Sequence, residues 1–425
     1  MTRHAQKDEI SGPPAEEGAA NRGECTDVSV NGSKLDAWPP PAQLPECVPW
    51  YTRQGNEVLC SGDLGAILRY YRTFHQLSQA QLSELINVDR TSISRLETQD
   101  RHLESITDRI RLGDQLGIPY AVLGIGGVRQ QDHMDMIACG ESVVRLSLIA
   151  REEGRAVDAL RELDRLVRAL EERAQSGKAA REDMVLLATA RAEVGVALGD
   201  LLPEAHLDAA VQWTGSGARV ISYLDGELGL SAHTLSMYGN ELRKAGDLVC
   251  AVKALQHAIE ISPDLGGHAT ANLLLARAAS ENGNVAMFDQ CIGQCRQALE
   301  QDPSISNFFI NPFSLREVEL RGLLLTARRG DAERVASRSI AMGAPPPAWG
   351  VMERVTMAQF YLATGETDTA AAELRTAILD AQVFRLPHQV ERAVRLAEGA
   401  NLDDLVLAGT EAVKAMSNSL GVDGD

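Results

Sequence analysis

The chain is predicted to be all-α, with a small N-terminal helix-turn-helix bundle followed by an α-solenoid of stacked helix pairs. Apolar residues recur at spacings of three and four through residues 79–98, and again from about 137 to the end, which is the helical period. Glycines 154, 199, 246, 283, 330 and 365 punctuate that second stretch at intervals of 35 to 47 residues, as a repeated helical hairpin would. The alternation that marks strands is absent.

At 425 residues, two or three domains are expected. Residues 1–58 carry SGPPAEEGAANRGE and WPPPAQLPECVP, rich in Pro, Gly, Glu and Ala, and read as a disordered tail. The Pro-rich piece suits an aromatic groove, although a solvated tail is the plainer reading. Trp38, Trp50 and Tyr51 are unusual for a free tail, so its last part is expected to dock. The bundle takes 60–124, a Gly-rich and then polar linker takes 125–136, and the solenoid takes 137–420.

The bundle is most informative at LSQAQLSELINVDRTSISRLE, residues 77–97. Ser78 and Gln81 form a capping box, with Leu77 and Leu82 as its hydrophobic staple. A helix therefore starts at about Gln79 and buries Leu82, Leu85 and Ile86. Asn87 tolerates the left-handed backbone of a helix stop, Val88 turns inward, and Asp89 caps the next helix. That helix, Arg90 to Thr98, buries Ile93 and Leu96. It leaves Arg90, Thr91, Ser92, Ser94 and Arg95 outside. Arg can bind guanine through two hydrogen bonds, and Ser or Thr can serve a base edge or a phosphate. Gln79 begins the first helix, where backbone N–H groups can hold a phosphate.

These residues resemble the Cro/C1-type (XRE) helix-turn-helix family. LGAILRYYRTF (64–74) is similar to that family's first helix, and RHLESITDRIRLGDQLGI (101–118) to its last two. Asn87 stands where the family usually has Gly, Ser83 where it favours Ala, and Leu103 where Pro is common. The resemblance implies binding to double-stranded DNA through Gln79, Arg90, Thr91, Ser92, Ser94 and Arg95. The segment 63–120 has seven Arg against eight acidic residues, and the whole chain carries a net charge of −18. Affinity for DNA grows with the phosphates neutralised, so a homodimer on an inverted-repeat operator is expected.

In the solenoid, LSMYGNELRKAGDLVCAVKALQHAIEISPD (235–264) resembles a tetratricopeptide repeat. Gly239 takes the small position where the paired helices cross, Gly246 and Asp247 make the turn, Ala251 and Ala258 are the small residues of the second helix, and Pro263 closes the unit. Weaker copies are marked by Gly154, Gly199-Asp200, Gly283-Asn284, Gly330-Asp331 and Gly365. Five or six helix pairs in a right-handed superhelix are expected, capped by helices at 386–398 and 403–417. The resemblance implies a concave groove lined by His233, Ser236, Asn240, Arg243 and Lys244, with Arg277 and Gln359 equivalent in later pairs. Asn can hold a peptide backbone, and Arg and Lys a carboxylate.

The two resemblances together are those of peptide-sensing quorum regulators of Gram-positive bacteria, and of actinobacterial regulators of development and antibiotic production. They imply a transcription regulator whose operator affinity responds to a peptide, small molecule or protein in the groove. The alternative is an adaptor that binds a protein partner and uses the head as a docking module.

No enzyme, metal or cofactor is expected. Cys291 and Cys295 are four apart on a helix without further ligands and read as core residues, as does Cys250. His133, with Asp132 and Asp135, lies in the linker. GIGG at 124–127 has neither the following Lys nor the preceding strand of a phosphate loop. Seven scattered cysteines, no CxxC and no apolar run of membrane length lead to a cytoplasmic expectation without membrane association.

Overall fold

The computed structural model describes residues 39–44, 49–98, 103, 105–120, 122–125, 129–176, 179–338, 340 and 345–419, without the side chains of 129–134. Among the described residues there are nineteen α-helices, three short 3-10 helices and no strand. The chain is all-α. The expected tail up to Trp38 lies outside the described residues.

Five helices form the head: α1 (Arg53–Cys60), α2 (Leu64–Phe74), α3 (Gln79–Ile86), α4 (Arg90–Glu97) and α5 (Ile106–Leu116). Each begins at a side-chain cap. Thr52, Asp63, Ser78, Asp89 and Ser105 all accept hydrogen bonds from backbone N–H groups of the first turn. The capping box is present: Ser78 Oγ accepts from Gln81 N at 3.2 Å, and Gln81 Oε1 from Ser78 N at 2.8 Å. Asn87 takes the left-handed conformation at φ 52°. Val88 N then bonds Ser83 O at 3.1 Å, and Asn87 N bonds Glu84 O at 3.4 Å, the pair of bonds that ends a helix at a left-handed residue. Ser83, where the family favours Ala, donates its hydroxyl to Val88 O at 2.6 Å and tightens the turn.

Trp50, Leu59, Ile67, Leu68, Leu82, Ile86, Ile93, Leu96, Leu112 and Leu116 fill the head's core. Leu85 does not join them; it is 45% exposed. On an eight-residue helix whose buried residues are Leu82 and Ile86, position 85 falls off the apolar stripe. Within 101–118, where two helices are implied, the described residues hold one, α5, which Gly117 ends in the left-handed conformation.

The solenoid pairs α6 (Arg129–Glu152) with α7 (Ala156–Gln175), α8 (Arg181–Leu201) with α9 (Asp208–Ser222), and α10 (Leu228–Lys244) with α11 (Leu248–Ile261). It continues with α12 (Leu265–Glu281) and α13 (Val285–Gln301), α14 (Pro312–Leu325) and α15 (Arg329–Ala336), and α16 (Pro347–Thr364) and α17 (Thr367–Phe384). The last pair is α18 (Pro387–Gly399) and α19 (Asp403–Ser419). Gly154, Gly246, Gly283 and Gly365 sit left-handed in the inter-helix turns, as expected. A Cβ on Gly239 would stand 2.6 Å from Leu255 Cγ, so α10 and α11 cross where only a glycine fits.

Two turn assignments are corrected. Gly199 lies inside α8, where its bare backbone admits Lys244, whose Nζ donates to Gly199 O at 3.1 Å. Gly330 lies inside α15, and the preceding turn is made by Ala327 at φ 57°. The linker is corrected too. Helix α6 begins at Arg129, because past the glycines RQQDHMDMIACGE contains no helix breaker before Gly140.

The tail boundary moves as well. Pro39–Leu44 lies on the solenoid: Pro39 O accepts from Trp213 Nε1 at 3.2 Å, and Ala42 O from Arg191 Nη2 at 2.7 Å. Next, the 3-10 helix Pro49–Tyr51 carries two buried aromatic residues. Trp50 sits in the head's core and donates its indole N–H to Leu116 O at 2.7 Å. Tyr51 sits in the first solenoid core, and its carbonyl accepts from Arg181. The expected docking of Trp50 and Tyr51 is thus what the structure has.

Candidate functional site

The outer face of α4 carries Arg90, Thr91 and Arg95, all exposed, with Ser94 half-buried. Neither arginine makes an ion pair with any described residue. The head's other described arginines are engaged: Arg53 with Glu57, Arg69 with Glu97 O, Arg72 with Glu97, Arg109 with the carbonyls of Leu103 and Leu123, and Arg111 with Asp108.

Ser92 is corrected. It is 8% exposed, and its hydroxyl and backbone N–H both donate to the Asp89 carboxylate. The third position of a capped helix faces back to its cap. Gln79 is half-buried, and its amide donates to Glu97 Oε2 at 2.8 Å. Its side chain is therefore committed inside the head.

Glu97, which sequence reasoning missed, organises the pair of helices. Buried at the end of α4, it accepts from Arg72 Nε at 2.9 Å, Arg72 Nη2 at 3.3 Å and Gln79 Nε2. The Arg72 guanidinium is held above its ordinary pKa, first by that hydrogen bond. Nearby, a Cβ on Gly65 would stand 2.7 Å from Leu96 O, so α2 and α4 meet backbone to backbone. Thus α4 is fixed against both α2 and α3.

In the solenoid the expected groove residues do converge, within a buried charge network. His233 Nε2 meets Glu193 Oε1 at 3.0 Å, and Glu193 also holds Arg151 at 2.7 Å. Lys244 bridges Glu241 at 3.1 Å and Asp200 at 3.5 Å. Arg243 pairs with Glu281 at 2.8 Å, which Arg321 shares at 2.7 Å. Gln359 accepts from Arg392 at 3.4 Å, and Arg392 faces Glu317 and Thr356. Asn240, Lys244 and Arg277 line a cavity of about 50 Å³ together with Arg151, Phe308 and Trp349. Two groove assignments change. Ser236 is buried and back-bonds Ala232 O at 2.8 Å, and Arg243 is fully engaged by Glu281 and Asn240. A long helix in a stack turns part of its polar face toward the next helix, and one sequence does not show which part.

The final pair returns to the second. Glu204 accepts from Arg395 at 2.7 and 2.9 Å and meets His388 Nδ1 at 3.0 Å, while its backbone N–H donates to Glu391 at 2.9 Å. Burial lifts Glu391 to about 7 and lowers His388 to about 4. Against the opposing pull of burial, bonds from His388 and Arg395 hold Glu204 at about 2. Glu204, His388 and Glu391 are also close enough to share a cation, a set that no sequence spacing foretold. The Arg395 guanidinium already supplies the countercharge there. Cys291 and Cys295 are packed side chains, with thiol pKa values pushed up by burial.

This architecture is a helix-turn-helix head joined to an α-solenoid. No protein-family model and no curated protein sequence matches the chain. Among solved structures it is similar to Bacillus thuringiensis PlcR in complex with the peptide PapR7 and DNA. The identity is 16% and the TM-score 0.36, over 65% of this chain and 93% of that one. At that distance the likeness carries no argument about function. No helix among the described residues is long and apolar enough to cross a membrane.

Proposed function

We propose that this chain is a sequence-specific DNA-binding transcription regulator that works as a homodimer, its operator affinity set by a ligand in the solenoid groove. The observation that carries the reading is the contrast among the head's arginines. The other five described arginines are engaged, and the two on the outer face of α4 are exposed and have no ion pair among the described residues. Unpaired arginines at the start and middle of such a helix suit base edges and phosphates.

The near-neutral head calls for a second copy. Exposed Leu379 and Val383 on α17, with Leu407 on α19, offer apolar surface for one. Ligand control would be a population shift between head arrangements. It would be relayed through Arg181, which bonds Tyr51 O at the head junction and Asp225 O and Glu227 in the solenoid.

The test begins with genome-wide capture of bound DNA, then fluorescence anisotropy on the enriched sites. Arg90→Ala and Arg95→Ala should each weaken specific binding by about 1–3 kcal/mol without lowering the melting temperature. Unchanged affinity in both variants would sink the recognition-helix assignment. The net charge of −18 favours a second reading, a protein adaptor with the head as docking module. No enriched DNA sites together with stable protein partners would decide for it.

A further inference from the structure

Arg277 is the one groove arginine whose ion pair is missing. It is 6% exposed, and no carboxylate lies within ion-pair distance of it among the described residues. Its nearest partners are the Met352 sulfur at 4.0 Å and the Trp349 ring at 6.0 Å. Its Nε has no hydrogen-bond acceptor. A buried cation left in this state is costly.

The surroundings deepen the imbalance. Arg243, Arg277, Arg321 and Arg392 act on one another, with Glu281 and Glu317 as the carboxylates that act on Arg277 and Arg392. Burial, then Arg243 and Arg321, lower the Arg277 pKa to about 9. Arg277 also lines the cavity, beside Trp349, Phe308, Phe309 and Met352. His388 and Gln389 also line it, and their Nε2 and Oε1 have no hydrogen-bond partner among the described residues. A guanidinium beside aromatic and thioether groups matches one ligand chemistry, a carboxylate carried on an apolar body.

We propose that Arg277 anchors the carboxylate of such a ligand, whose apolar body packs on Trp349, Phe308 and Met352. The inference rests on the reading of this groove as the ligand site. The cavity of about 50 Å³ takes a carboxylate with little body, so a larger ligand must part α16 from its neighbours. That movement is a change for the head to sense.

The test uses the full chain and calorimetric titration, with phenylacetate against phenylacetamide for a free acid, and acetyl-Ala-Phe against its C-terminal amide for a peptide end. At least one acid should bind more than tenfold tighter than its amide. Arg277→Met should remove that preference, since a charged hydrogen bond is worth about tenfold or more. In the unliganded chain Arg277→Met should keep or raise the melting temperature, because it removes an uncompensated buried cation. No binding of either acid, equal binding of acid and amide, an unchanged preference in Arg277→Met, or a lowered melting temperature in that variant would each overturn the proposal. Operator binding measured on the same wild-type preparations separates the two readings. If it persists while the acids fail, the anchor falls and the regulator stands.

Discussion

Glu97→Ala tests how α4 is held. The Glu97 side chain is 5% exposed and that of its partner Arg72 26%. Removing one member of a buried ion pair costs about 3–5 kcal/mol. Because a quarter of Arg72 reaches solvent, screening brings the cost below that range, to roughly 2 kcal/mol for the pair. Gln79 also loses an acceptor at 2.8 Å, worth about another 1 kcal/mol. The sum, about 3 kcal/mol, corresponds to roughly a hundredfold rise in local opening. Hydrogen–deuterium exchange on the full chain reads it directly: amides of α3 and α4 should exchange about a hundredfold faster, with solenoid amides unchanged. The double replacement Arg72→Met with Glu97→Leu should recover most of the protection, since an apolar pair can substitute for a buried ionic one. Acceleration below about threefold in Glu97→Ala, under 1 kcal/mol, would refute the view that Glu97 braces the helix.

Two other outcomes follow from the packing and the closure. Gly239→Val should lower solenoid stability by about 1–3 kcal/mol in thermal unfolding, because Leu255 and Ala251 O already crowd that position; a change within about 0.5 kcal/mol would count against the crossing. At the contact of α18 with Glu204, Glu391 is raised to about 7, so its contribution is full below its ordinary value and lost as pH rises through 7. His388, lowered to about 4, works oppositely: its contribution is present above its ordinary value and falls away as pH drops toward 4. Glu204, at about 2, is constant over this range. Glu391→Gln should therefore abolish the loss of α18 amide protection between pH 6.5 and 8, and parallel pH profiles for variant and wild type would exclude this assignment.

Much of the fold was legible because its signals are local. The Ser78–Gln81 box, the Asn87 stop, the Asp89 cap and the turns at Gly154, Gly246, Gly283 and Gly365 act within a few residues of themselves. Gly199 and Gly330 misled because glycine also serves inside helices; at Gly199 the space is taken by Glu241 and Lys244 arriving from α10. The outer face of α4 was legible for Arg90, Thr91 and Arg95, whose environment is solvent. It failed for Ser92, which turns back to its own cap. Glu97 was opaque because its meaning lies in its partners Arg72 and Gln79; Arg277 was legible as a groove residue, but not its lack of a paired carboxylate among the described residues. The docking of Pro39–Leu44 depends on Trp213 and Arg191, more than 140 residues away, a distance at which composition has no reach.

Trp50 and Tyr51 are consecutive residues seated in two different cores. One trans peptide unit spans 3.8 Å and is planar, so this joint contains no slack. A head on a long flexible leash would sample many orientations and accept half-sites at many separations. A head pivoting about a single rigid plate cannot. Two such chains in a dimer would hand their heads a fixed pitch and roll. The range of operator spacings they tolerate should be correspondingly narrow, and inserting even a few glycines between Trp50 and Tyr51 should broaden it.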